Sequence, residues 1–151
     1  MAKASKLVLG KKPKYFTREV AFPMLNIETG ETVPGMMEVK YFYRTRKEYA
    51  QLADETQAEI TAKATAEVEL LKQNASEDEL TPQLTQADFV ARQDEFKADY
   101  LQKIMAGWNV ELPFGRDALL DLVGSQPAAE QAIISTYRDA IMEGRLGNFA
   151  Q

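Results

Sequence analysis

Neither cysteine nor histidine occurs anywhere in the chain. Without cysteine there is no disulfide and no thiolate nucleophile. Without histidine there is no side chain whose ordinary pKa suits acid–base work near neutrality. Zinc, iron and copper sites lean on both residue types, so such centres are nearly excluded. Most hydrolase, redox and metalloenzyme mechanisms go with them. Long apolar runs are missing too: nothing approaches the roughly 18 residues needed to span a bilayer. The first ten residues hold lysines and one apolar run, Leu7–Leu9, far short of the seven or so that a signal peptide requires. A cytosolic location is expected. No Gly-x-Gly-x-x-Gly or Walker loop is present to cradle phosphates. What survives is carboxylate, Lys, Ser or Tyr chemistry, and no constellation supports it. The acid pairs Glu77/Glu79 and Asp94/Glu95 lie in polar surroundings that would not raise a pKa. Ser125 and Ser135 lack a base. The expectation is a non-enzyme with no cofactor and no metal.

What is present is ordinary for a globular protein: 151 residues, 45% hydrophobic and 27% charged. We expect a flexible basic arm over residues 1–14 and one α+β domain over 15–151. The net charge of -5 is unevenly spread. The arm carries five lysines and no acid, whereas residues 74–99 carry seven acids against Arg92 and Lys97. An acidic chain makes a poor general nucleic-acid binder, because phosphate neutralisation dominates that affinity.

Residues 15–43 read as a β-hairpin. Tyr15 to Ile27 is rich in strand formers, Glu28-Thr29-Gly30-Glu31 is a turn, and Thr32 to Tyr43 alternates apolar Val33, Met37, Val39, Tyr41 and Tyr43 with Glu38, Lys40 and Phe42. Pro23 and Pro34 suggest edges or bulges, since proline cannot donate to a ladder. The outer edges of a lone hairpin invite pairing with a second copy.

The helical part spans residues 45–148, with about four helices. Thr45-Arg46-Lys47-Glu48 has capping-box spacing. The helix it opens runs to about Gln73 with a thin apolar line, Leu52, Ile60 and Val68. With Thr56 and Ala64 between them, the spacing of four drifts about 40° per step around a helix of 3.6 residues per turn. This predicts a long, mostly solvated helix that packs over part of its length. After a linker, Thr85-Gln86-Ala87-Asp88 starts a second helix. Its expected core face is Phe89, Phe96, Tyr100 and Ile104, with Leu101, Met105 and Trp108 beside it. A short helix over Ala118–Val123 and a Pro127-started helix carrying Ile133, Ile134, Tyr137 and Ile141 complete the set. The fold class is therefore α+β: an N-terminal hairpin packed on a mainly helical bundle.

The C-terminal third holds the candidate contact residues. Trp108, the sole tryptophan, either caps the second helix against Phe114 and Tyr137 or anchors a partner. Arg145 and Asn148 either finish the chain locally or meet that partner.

Several segments together resemble phage tail assembly chaperones. Tyr41-Phe42-Tyr43-Arg44-Thr45-Arg46-Lys47-Glu48-Tyr49 looks like the family's N-terminal signature. Gly107-Trp108-x-Val110-x-x-Pro113-Phe114 looks like its middle. Leu119-Leu120-x-Leu122, Pro127, Ala132-Ile133, Tyr137 and Arg145-Leu146-Gly147-Asn148 look like its end. Residues 50–106 carry no family mark. The resemblance implies a non-enzymatic role in tail morphogenesis of a long-tailed bacteriophage or prophage. Such proteins work in the host cytoplasm, hold the tape measure protein soluble until tube protein polymerises around it, and are absent from the mature virion. The implied partners are tape measure protein, tail tube protein and further copies of the chain, with no nucleic acid and no membrane. Expected contact residues are Trp108, Phe114, Tyr137, Arg145 and Asn148. The alternative is a structural minor tail or head–tail connector protein of the virion.

Overall fold

The computed structural model describes residues 7, 9, 10, 12–74 and 85–143. Two long strands, β1 (Tyr15–Leu25) and β2 (Thr32–Phe42), pair antiparallel, and a short β3 (Met105–Trp108) adds to the far side of β2. Among the described residues there are four helices, α1 (Arg46–Asn74) and α2 (Gln86–Ile104) before β3, and α3 (Arg116–Ser125) and α4 (Pro127–Met142) after it. The molecule is α+β, with one strand more than the sequence reading supplied.

The hairpin register runs from Tyr15↔Phe42 to Leu25↔Thr32. Asn26 fixes its turn, its Oδ1 accepting from Glu28 N at 2.9 Å and Thr29 N at 3.3 Å. Gly30 supplies a φ of 74° there, which a side chain would resist. The period-2 alternation sorts the two faces. Val20, Phe22, Met37, Val39 and Tyr41 are buried. Glu19, Ala21, Pro23, Leu25, Pro34, Met36, Glu38 and Lys40, of the opposite parity, are exposed. Helices cover the buried face alone. Ala129, Ile133, Tyr137 and Ile141 of α4 join Ala98, Leu101 and Ile104 of α2, Leu119 and Val123 of α3 and Leu52 of α1 in one core.

Both capping boxes form. Glu48 N donates to Thr45 Oγ1 at 3.2 Å and Thr45 N to Glu48 Oε1 at 3.0 Å. Thr85 and Asp88 do the same for α2 at 3.1 and 3.3 Å. The drift of α1 is visible as exposure: Leu52 is buried, Thr56 and Ile60 half-buried, and Val68 is 50% exposed. From Glu59 onward, α1 is tied to the antiparallel α2 by charge. Glu59 meets Lys103 at 2.6 Å, Lys63 meets Asp99 at 3.4 Å, and Glu67 pairs with Arg92.

Two expectations need correction. The second helix does not reach Trp108: it ends at Ile104, and Met105–Trp108 pairs with Val39–Tyr41, with a register shift between Lys40 and Tyr41. Four residues are too few to display a period of two. The buried line of α2 is Ala98, Leu101 and Ile104, while Phe96 and Tyr100 are half-buried and Phe89 is 54% exposed. The large rings lie on the side turned to α1, where Lys63 Nζ covers the Phe96 ring at 5.2 Å. Smaller side chains serve where α2 meets the core. The hairpin edges are partly blunted. β3 occupies part of one edge, and Pro23 faces Pro34 across the ladder. Two prolines can oppose each other only where both nitrogens point away from the partner strand, so each blunts an outer edge.

Candidate interaction surfaces

The Trp108 segment folds into a self-supporting loop. Trp108 is half-buried and donates its indole N–H to Leu112 O at 2.8 Å. Its ring meets Phe114 edge-on, with centroids 5.3 Å apart. Next to it, Asn109 Oδ1 accepts from Glu38 N at 2.8 Å while Asn109 N donates to Glu38 O at 3.2 Å. A side-chain carbonyl thus stands in for a backbone one and ends the β2–β3 ladder. Asn109 went unnoticed in the sequence, where nothing marks an asparagine as a ladder stop. Trp108 packs on Phe114 and not on Tyr137. Val110 and Leu112 beside it are exposed, at 42% and 47%.

Tyr137 lies in the core, with no exposed surface. Its ring stacks on Tyr41 at 5.1 Å and Phe16 at 6.0 Å and tilts against Tyr49 at 5.8 Å. Its hydroxyl donates to Phe42 O at 2.9 Å and accepts from Arg44 Nη1 at 3.0 Å. A partner cannot reach this ring without unfolding the core, so Tyr137 is not available as a direct contact. It holds Arg44 in place beneath a cleft of about 400 Å³ bordered by Tyr43, Arg46 and the end of α4. Burial raises the Tyr137 hydroxyl pKa against the opposing pull of Arg44, and burial likewise raises those of Tyr41 and Tyr100. Arg145 and Asn148 lie outside the described residues.

Charge is placed at this same end. Lys12 Nζ meets Glu48 at 2.5 Å. That contact and the capping hydrogen bonds at Thr45 hold the Glu48 carboxyl down at about 2. On α4, Glu130 is buried, 4% exposed. Desolvation raises its pKa, Lys97 opposing and Asp94 adding to the rise. Among the described residues no group of three or more acidic side chains is placed to hold a metal ion, and no helix is long and apolar enough to cross a membrane.

Two apolar surfaces escaped sequence reasoning. One is the bare side of the sheet near the turn, where Leu25 is 62% and Met36 66% exposed beside Ala21, Pro23 and Pro34. Alternation in the sequence gives which residues share that face, but not that no helix covers it. The other is the far end of the α1–α2 pair, where Val68, Leu70, Phe89 and Val90 are about half exposed, from 48% to 57%. It borders residues 75–84, which lie outside the described set.

The structure therefore defines an α+β protein that presents apolar surfaces on one sheet face and along a solvated helix pair. The family model for phage tail assembly chaperones matches residues 1–148, and the chain belongs to that family. No curated protein and no solved structure gives a match. Membership carries a chaperone role in tail assembly, and with it the binding of tail proteins.

Proposed function

We propose that this protein binds the tape measure protein in the host cytoplasm and holds it soluble until tail tube protein assembles around it, without entering the virion and without catalysis. The observation that carries this reading is the family match over residues 1–148 of the 151. Exposed apolar surface supports it, because a helix-shielding protein must offer apolar area to its client. Trp108 and Phe114, with Arg145 and Asn148, are proposed contacts, and Tyr137 acts from beneath by positioning Arg44. Self-association belongs to the same proposal and is checked by sedimentation at increasing concentration.

The decisive experiment is co-expression with the tape measure protein of the same phage or prophage. The expected result is a client found in the soluble fraction only when this chain is present. A client that stays insoluble, or is equally soluble alone, overturns the reading. Presence of this chain in purified virions would favour a structural tail component instead.

A further inference from the structure

We propose that the bare face of the sheet is a docking surface for one amphipathic helix that carries a lysine or arginine beside its apolar stripe. The inference rests on the chaperone reading for the partner's identity and on the sheet alone for its chemistry. Three observations carry it. First, the face is open while each edge carries a proline. Glu38 turns both its N–H and its C=O to Asn109, so even-numbered residues of β2 face away from β1. Pro34 shares that parity and offers no N–H beyond the end of β3. Pro23, its cross-strand partner, withholds one from the outer edge of β1. Strand addition is blunted on both sides, whereas a sheet face accepts a helix without any backbone pairing.

Second, the apolar part of the face is continuous. Ala21 pairs with Met36 and Pro23 with Pro34, and Leu25 follows on the same side. Third, it ends in two acids that no ion pair neutralises, since Lys40, the cation next to them on this face, lies over the Tyr15 ring at 4.4 Å. Glu19 and Glu38 are directly opposed across the ladder, and among the described residues no cation forms an ion pair with either. Like charges so placed repel. A cation on the incoming helix relieves both at once. A second copy would bring the same carboxylates to the same face, so self-docking is the poorer fit. Pro23 and Glu19 are four positions apart, roughly 13 Å of strand or about nine residues of helix. The fitting helix therefore has its basic residue about two and a half turns beyond the centre of its stripe.

The test uses the full chain and two synthetic helical peptides that share one apolar stripe and differ only in a Lys or Glu about nine residues from the centre of that stripe. The lysine peptide is expected to bind about fivefold more tightly and to shift amide resonances of residues 19–36. Glu19→Gln with Glu38→Gln should bring the two peptides to equal affinity. Leu25→Asp with Met36→Asp should abolish binding, while Val68→Asp with Phe89→Asp leaves it unchanged. All these positions are exposed, and an unchanged far-ultraviolet spectrum verifies folding. Binding that survives Leu25→Asp with Met36→Asp, or shifts confined to the helix pair, overturns the proposal. So does a dimer in sedimentation that dissociates in that variant, which would assign the face to a second copy. In co-expression, a wild type that solubilises the client and a Leu25→Asp/Met36→Asp variant that does not supports it. If both solubilise the client, the face assignment fails and the chaperone reading stands. If neither does, the chaperone reading fails and the peptides alone decide the chemistry of the face.

Discussion

Tyr137 shows how a residue singled out from sequence can matter without touching a partner. Its hydroxyl ties the Phe42 carbonyl to the Arg44 guanidinium, linking the end of β2 to α4. Tyr137→Phe keeps the ring stack and loses both bonds. The expected cost is about 1–3 kcal/mol, because a part-buried charged donor is left unpaired; calorimetry would measure it. Glu130 offers the opposite case. Its raised pKa means that the folded state prefers the protonated form. The sign follows: its contribution is fully present below the unfolded value of about 4.3 and is lost as pH rises through the folded value. Glu130→Gln should therefore raise the melting temperature at pH 7 by roughly 2 °C or more, and the gain should vanish below about pH 4. An equal gain at both pH values would refute the burial argument. Sequence reading had no access to this carboxylate, because a glutamate in the first turn of a helix is ordinarily a favourable surface choice.

At the scale of elements, most of the fold was legible. Alternation placed both long strands, and Thr-x-x-Glu and Thr-x-x-Asp placed two helix starts, since each signal needs only local geometry. The drift of Leu52, Ile60 and Val68 foretold that α1 packs on the core over only part of its length. What failed was non-local. β3 exists because Val39–Tyr41 lies open to it, and the orientation of α2 is set by what packs on it. For the same reason the open sheet face was invisible: a strand's sequence names its two faces and not their covers. The distal half of α1 rests on three exposed or half-exposed ion pairs to α2. Such pairs are individually weak and screened by salt. Raising salt to about 1 M, where the Debye length falls to about 3 Å, should speed amide hydrogen exchange over residues 60–74. Residues 46–56 and the sheet should be unaffected. Uniform acceleration along α1 would show that the ladder is not what holds it.

Across the whole molecule, the stacked rings of Phe16, Tyr41 and Tyr137 join sheet to helix. Tyr41, Tyr100 and Tyr137 all have hydroxyls whose pKa burial has raised. Their stabilisation is complete below the unfolded value of about 10 and is lost as pH climbs above it. Alkaline titration should accordingly show these phenols ionising together with the loss of helical circular dichroism. Ionisation at about pH 10 with the spectrum intact would contradict the burial of the stack. The junction of α2 with β3 has a mechanical meaning as well. Met105 is at once the cap of a 19-residue helix and the first residue of the strand. No loop separates them to absorb motion. A helix of that length is about 28 Å long, so it works as a rigid lever whose short arm is the bulged pairing with Val39–Tyr41. A load taken up near Phe89 would pass along the helix to β3 and from there to β2, the central strand.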